Sequence, residues 1–284
     1  FFTSVKLSGG EFGTQTAGVV LNVPISETFL SRFVFESHES DGYIENDFQN
    51  SNSTNDRDEL TSRAKFSWQV KKNWSLNLSL ASIDMDNGYD AFSLDNNRHT
   101  LSDEPGFDRQ NSAYVSLKSS WQLDRMNIDV LWNHSDSDLG YGYDEDWSFT
   151  GIHPWGYTST DHYFRERDTT SAEIRLLSND SGRIFTNTTD WVMGLYYLSS
   201  SEELQRQYTF LPIDFVSDYD FDTLAIFFQL DAALSERMTL SAGLRLEERA
   251  TEYDDSEGVT FSPDDSFWGG KISLEYLAGK NTLA

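Results

Sequence analysis

Apolar and polar residues alternate with a period of two along much of this chain. Between positions 60 and 70 the apolar set is Leu60, Ala64, Phe66, Trp68 and Val70, and the polar set is Thr61, Arg63, Lys65, Ser67 and Gln69. Successive side chains of a β-strand point to opposite faces, so the segment is predicted to be a strand with one apolar and one polar face. The pattern restarts at Trp74, directly after Lys71-Lys72-Asn73, which predicts a tight hairpin.

The same alternation returns in many further segments. It is regular in the segments 74–80, 113–123, 126–132, 172–176, 191–197, 224–230, 238–246 and 268–276. Less regular candidates lie near 1–10, 13–25 and 29–38. Because such strands follow one another closely, the chain is predicted to be all-β, with about twelve antiparallel strands.

The connections between these strands fall into two classes. Short turns are predicted near 26–27, 71–73, 124–125, 179–182 and 235–237, and long polar segments near 39–58, 84–108, 135–165, 200–218 and 251–266. The two classes alternate, as in an outer-membrane barrel with short periplasmic turns and long extracellular loops. A soluble β-sandwich shares the period of two but has no reason to alternate its loop lengths. The pattern therefore favours a transmembrane β-barrel.

Composition excludes several other classes of protein. A net charge of -26 argues against nucleic acid as a partner, since phosphate binding needs clustered Lys and Arg. Cysteine is absent, which removes disulfides and thiolate metal sites. No window approaches the roughly 18 apolar residues of a membrane helix. The chain opens on Phe1-Phe2-Thr3-Ser4 without the features of a signal peptide, so it is expected to be a mature form or a part of a longer protein.

Several segments resemble TonB-dependent outer-membrane transporters of Gram-negative bacteria. The segment 8–25 is similar to the first barrel strands of that family, and Arg32 with Asp41-Gly42-Tyr43-Ile44-Glu45-Asn46 is similar to its early R…DGY/F-x-x-N stretch. Further similar segments are 88–98, 171–176 and 191–197. The resemblance implies a 22-stranded barrel closed by an N-terminal plug. Residues 1–284 are then expected to be one partial barrel domain, an open arc of about twelve strands without the plug and the C-terminal strands.

The resemblance also implies a function. Members of this family import scarce large solutes, most commonly a ferric siderophore, with cobalamin or an oligosaccharide as other possibilities. Energy comes from the TonB-ExbB-ExbD complex through the plug, and the surrounding partners are outer-membrane lipid and lipopolysaccharide. The alternative is a passive, porin-like or structural barrel, complete with about twelve strands. Pairing between the strand near Phe1 and the strand that ends near Tyr276 would distinguish the two.

Neither an enzyme, nor a cofactor, nor a metal site is predicted. The chain has no Gly-x-Ser-x-Gly elbow, His-Glu-x-x-His pair or phosphate-binding loop, and its histidines are scattered. The segment 136–146 carries five carboxylates but lacks the spacing of a calcium-binding EF-hand loop, so it is interpreted as a solvated acidic loop. The segment 84–88 is interpreted in the same way.

Two sets of residues are candidates for ligand binding. The first lies in the longest predicted extracellular loop and consists of His153, Trp155, Tyr157 and His162. The Trp and Tyr rings supply stacking area and the His side chains supply polar contacts for an iron chelate or a sugar, although exposed aromatic residues also pack on each other. The second set faces the lumen and consists of Arg63, Lys65, Lys118, Arg175 and Arg245. These cations would attract an anionic chelate, unless they pair with Glu36, Glu173 and Glu247 on neighbouring strands.

Overall fold

The fold is one 14-stranded antiparallel sheet in which each long strand pairs with the next along the chain. It is described by a computed structural model that covers residues 1–89, 92–279 and 282–283. The long strands are β1 (Phe2–Gly9), β2 (Gln15–Pro24), β3 (Phe29–Ser40), β4 (Arg57–Lys71), β5 (Trp74–Gly88), β6 (Phe107–Gln122), β7 (Met126–Asp144), β8 (Thr160–Ser178), β9 (Thr189–Tyr208), β10 (Phe215–Ser235), β11 (Met238–Asp255) and β12 (Asp264–Gly279).

Short elements complete the structure. The two-residue strands Thr260–Phe261 and Thr282–Leu283 belong to the main sheet, whereas Glu45–Asn46 and His99–Thr100 form a separate parallel pair. A single 3-10 turn covers Asp180–Gly182. Within the described residues, no helix has the length and the apolar composition needed to span a membrane.

The sheet is open. Strand β1 pairs with β2, and the opposite edge ends at β12 and Thr282–Leu283, with no pairing between the two edges among the described residues. The prediction of an open arc of about twelve antiparallel strands is therefore confirmed. A closed, porin-like barrel would have required β1 to pair with β12, and the described part of the chain does not adopt that arrangement.

The two faces of the sheet have opposite character, and the apolar face is the exposed one. On β10, Leu224 and Ile226 are 50% and 52% exposed, whereas Ala225 between them is 1% exposed. Among the described residues only Ile44 and Ala225 are buried apolar side chains. We call the apolar, exposed side the outer face and the polar side the inner face. A sheet that leaves its apolar face exposed is built for an apolar surrounding.

The outer apolar surface is continuous because the register aligns apolar residues across strands. Ile174 on β8 lies opposite Leu195 on β9, which lies opposite Ile226 on β10. Leu246 on β11 and then Trp268 on β12 continue the same row. We call this surface the apolar band.

Strands extend further than the sequence indicated. Much of 135–165 and 200–218, predicted as polar loops, is strand, and the actual connections are only 145–159 and 209–214. The prediction was wrong there because both faces are polar beyond the apolar band, so the alternation disappears while the backbone ladder continues. The connections 25–28, 72–73, 123–125, 179–188 and 236–237 form the turn end of the sheet, and the connections 10–14, 41–56, 89–106, 145–159, 209–214 and 256–263 form its loop end.

Candidate functional site at the loop end

Three long connections at the loop end pack into one body, the loop platform (41–56, 89 with 92–106, and 145–159). The parallel pair of Glu45–Asn46 with His99–Thr100 joins the first loop to the second. Ser102 reinforces this junction, because its carbonyl accepts a hydrogen bond of 2.8 Å from the Asn46 side chain. The second and third loops meet where the Asp103 amide donates to the Ser148 carbonyl at 3.2 Å. The platform is therefore held by backbone and buried polar contacts between segments distant in sequence.

Stacked aromatic rings add to this packing. The rings of Phe48 and Phe149 lie 4.6 Å apart and join the first loop to the third. Those of Phe92 and Trp147 lie 4.9 Å apart and join the second to the third. Such stacked pairs restrict loop motion and hold the surface in one shape.

The predicted ligand residues of the third loop have different surroundings. Tyr157 contacts His153 edge-on at 5.8 Å and stacks on Phe210 at 5.8 Å, and its hydroxyl donates to Glu145 at 3.2 Å. Trp155 is 90% exposed. The structure therefore places His153 and Tyr157 in a packed aromatic cluster beneath the loop surface, and Trp155 at the surface itself. Their role in ligand binding stays a prediction.

His162 lies apart from these three residues, on the outer face. Its ring packs against Phe107 at 5.2 Å and against Phe164 at 6.5 Å. The opposite residue on β7 is Gly142, where a Cβ atom would lie only 2.5 Å from the His162 ring. The absence of a side chain at Gly142 therefore leaves the space that His162 and Phe107 fill.

A buried ionic network on the inner face was missed by the sequence analysis. Asp161, 2% exposed, accepts hydrogen bonds from Arg206 Nε at 2.8 Å and from Nη2 at 2.6 Å. Tyr163 donates to the same carboxylate at 3.0 Å, and the Arg206 guanidinium lies over the Tyr163 and Tyr208 rings. Burial, followed by the bond to Asp161, raises the pKa of Tyr163. Only the register of β8 with β9 brings these residues together, since Asp161 is opposite Tyr208 and Tyr163 opposite Arg206.

The five predicted lumen-facing cations lie on strands whose register places them on the inner face. Three of them are paired: Lys118 with Asp129 at 3.0 Å, Arg245 with Glu247 at 2.7 Å, and Arg175 with Glu173. The last two pairs form along one strand, two residues apart, and not between strands as the sequence analysis suggested. Glu36 pairs instead with Lys6 at 3.6 Å.

Arg63 and Lys65 are the other two predicted lumen-facing cations. Neither forms an ion pair with a described residue, and Lys65 lies directly opposite Arg32 on β3. The inner face of β3 and β4 therefore carries uncompensated positive charge, which would attract an anionic solute.

Two aspartates at the junction of β7 with the third loop are buried, although the sequence indicated a solvated loop there. Asp144 and Asp146 are 1% and 5% exposed. Asp144 Oδ1 accepts the backbone amides of Asp146 and Trp147 at 3.0 and 3.1 Å, and the Ser102 hydroxyl also bonds to this carboxyl. Burial, followed by the facing Asp146 carboxyl, raises the pKa of Asp144 to about 8.

This shift predicts a pH dependence of stability. The folded protein retains the Asp144 proton up to a pKa of about 8, against 3.8 for the ordinary group, so it binds more protons than the unfolded chain in that window. The free energy of unfolding therefore decreases as the pH rises from about 4 to about 8. In EDTA-containing detergent, we expect Tm to fall by several degrees across this range. Asp144→Asn should flatten the fall, and Asp138→Asn, an exposed carboxylate on the same strand, should not. An unchanged pH profile in Asp144→Asn would contradict the assignment.

Comparison with known proteins gives a consistent picture. The ferric yersiniabactin uptake receptor FyuA from Yersinia pestis superposes with a TM-score of 0.78 at 16% identity, over 98% of this chain and 45% of that one. The siderophore receptor PiuA from Acinetobacter baumannii gives 0.70 at 11% identity, over 98% and 47%. The alcaligin outer membrane receptor FauA from Bordetella pertussis gives 0.67 at 13%, over 98% and 41%. The chain thus spans less than half the length of these structures.

Sequence comparison identifies the family. No curated protein matches the chain significantly. The family model described as TonB dependent receptor-like, beta-barrel, matches residues 81–283, which is most of the chain. This match agrees with the open antiparallel sheet, its exposed apolar face and its platform of long loops. The chain belongs to the TonB-dependent receptor β-barrel family.

Proposed function

We propose that residues 1–284 form part of the barrel of a receptor that binds a ferric siderophore, or another scarce large solute, at the loop end and imports it with energy from TonB. Cobalamin or an oligosaccharide is the alternative solute. The observation that carries the proposal is the exposed apolar outer face of the sheet together with the loop platform at one end. Members of this family are outer-membrane transporters rather than enzymes, in agreement with the prediction that the chain is not an enzyme.

The loop end offers chemistry suited to an iron chelate. Trp155 presents an exposed ring, and His153 and Tyr157 of the same loop are half-buried and contact each other edge-on. Large planar side chains provide contact area at low entropic cost. Two of the similar structures, a ferric yersiniabactin uptake receptor and a siderophore receptor, support this class of solute. Unpaired Arg63 and Lys65 on the inner face would favour an anionic solute over a neutral one.

The surroundings of the barrel are part of the proposal. The apolar band would face the lipid of a Gram-negative outer membrane. Beyond it, towards the loop end, one row of outer-face carboxylates crosses five strands in direct register: Asp138, Glu166, Glu203, Asp218 and Asp254. Like charges opposite each other destabilise a sheet unless they are neutralised. Divalent cations bridged to lipopolysaccharide phosphates would neutralise this row, which supports lipopolysaccharide as a partner.

Uptake measurements test the proposed solute site. Cells that depend on this receptor would be given a panel of 55Fe-loaded siderophores and radiolabelled cobalamin, with and without TonB. Replacing His153, Trp155 and Tyr157 together by Ala is expected to reduce uptake of the transported solute by at least about 10-fold, because stacking contacts are lost. Phe185→Ala, which removes an exposed ring at the turn end, serves as the control. The amount of receptor in the outer membrane should be equal in all strains.

Two outcomes would overturn parts of this proposal. Uptake that persists without TonB would favour the passive channel. Full uptake in the triple variant would show that these three residues do not contact the solute.

A further inference from the structure

We propose that Asp144 and Asp146 form a binding site for a divalent cation of the calcium type, which fastens the third loop of the platform to the end of β7. This site lies away from the exposed Trp155 surface and does not depend on which solute is transported. The proposal rests on how the two carboxylates are buried and on what surrounds them.

The Asp146 carboxylate is buried, and it faces another carboxyl, that of Asp144, instead of a cation. The residue is 5% exposed, and no backbone amide, hydroxyl or cation among the described residues donates a hydrogen bond to its side-chain oxygens. No described Lys, Arg or His forms an ion pair with it. An ionised carboxylate taken out of water costs several kcal/mol unless a positive charge or hydrogen-bond donors compensate it. The fold therefore leaves a negative charge that something must neutralise.

The neighbouring oxygen groups belong to Asp144 and Ser148, two residues before and two residues after Asp146. Backbone amides of Asp146 and Trp147 hold Asp144 Oδ1, and the Asp146 carboxyl faces that of Asp144. The Ser148 hydroxyl, on a residue that is 0% exposed, is likewise buried without a hydrogen-bond partner. Two carboxylates and a hydroxyl are hard oxygen donors, which is the ligand type that calcium prefers.

A second loop flanks the site. Asp103 donates its amide to the Ser148 carbonyl at 3.2 Å, and its Oδ1 is buried and receives no hydrogen bond. A cation held by Asp144 and Asp146 would thus lie where the second loop meets the third. By contrast, Glu45, Asp47 and His99 also converge, but they are exposed, and His99 pairs with both acids. Because that group is exposed, water already compensates its charges.

A proton is the competing occupant. One proton shared between Asp144 and Asp146 would also remove the repulsion, and it would leave stability dependent on pH but independent of calcium. The two occupants therefore predict different responses to added metal, and this difference is what the experiment measures.

Terbium luminescence and thermal unfolding test the site in the detergent-solubilised protein after EDTA treatment. Trp147 directly follows Asp146 and can sensitise bound Tb3+. We expect saturable Tb3+ luminescence that Ca2+ displaces, and a rise in Tm on adding Ca2+. Asp146→Asn should weaken Tb3+ binding by at least about 10-fold and abolish the Ca2+ effect on Tm. Asp124→Asn, which removes an exposed carboxylate at the turn end, should change neither.

The Tm of Asp146→Asn in EDTA shows whether this variant still folds. Asp146→Asn removes an uncompensated buried charge, so in EDTA its Tm should equal or exceed that of the unaltered protein. If Ca2+ leaves the Tm of the unaltered protein unchanged while Tm falls with rising pH, the pair holds a proton and the proposal is wrong. If Tb3+ binding survives in Asp146→Asn with its affinity intact, the ion lies among the exposed acids and the proposal is equally wrong.

Discussion

Replacement of Arg206 by Ala is expected to destabilise the protein by about 3 kcal/mol, because it leaves the Asp161 carboxylate buried without its positive partner. Asp161 is 2% exposed and receives two charged hydrogen bonds from Arg206. The Arg206 side chain is itself 34% exposed, so the value lies at the lower end for broken buried ion pairs. Losing the guanidinium also removes its contacts with the rings of Tyr163 and Tyr208. Urea-induced unfolding in lipid vesicles measures the change.

The same two strands contain a matched control. Arg167 and Glu202 also pair across β8 and β9, but the Arg167 side chain is 52% exposed. Arg167→Ala should cost less than about 1 kcal/mol, since solvent screens an exposed pair. The double variant Asp161→Asn/Arg206→Gln should regain part of the stability lost in Arg206→Ala, because no buried charge remains. Equal costs for Arg206→Ala and Arg167→Ala would show that the buried pair has no special importance.

An arginine placed in the apolar band should have an effect of similar size. Ile226→Arg is expected to destabilise the membrane-inserted protein by about 2–4 kcal/mol, as a cation near the bilayer midplane loses its hydration. Ile226 is 52% exposed and lies opposite Leu195 and Leu246, so the cost cannot come from overpacking a core. Folding into lipid vesicles, followed by heat-modifiable electrophoretic mobility and urea titration, measures the loss.

The inner face provides the control for this prediction. Gln229 lies on the same strand, faces inward and bonds to Asp231. Gln229→Arg should therefore be tolerated, because the new cation meets a carboxylate and a polar surface. If both arginines have equal cost, the assignment of the two faces to lipid and lumen is wrong.

Much of the fold was predictable because side-chain direction in a strand is a local property. The alternation at 224–230 identified a strand and its two faces, and the exposures of Leu224 and Ala225 confirm both. Strand ends were less predictable. Beyond the apolar band, β8 begins at Thr160, far before the regular segment 172–176, since backbone pairing continues where neither face is apolar.

The candidate site was less accessible to sequence analysis. The positions of His153 and Tyr157 in one loop were evident, but the packing of Tyr157 on Phe210, which belongs to another connection, was not. His162 points to the outer face because it lies an even number of residues from Ile174 on the same strand. The regular alternation on β8 does not reach position 162, so the sequence predicted that His162 lies in the loop.

The sequence by itself determined the antiparallel strands, the polarity of their faces and the family, because all three depend on the spacing and type of neighbouring residues. Only the tertiary structure decided which charges are neutralised and which are buried. Asp161 meets Arg206 through the register of two strands, and Asp146 loses its solvent through the packing of separate loops. Charge burial depends on contacts between distant segments, and a period of two contains no information about those contacts.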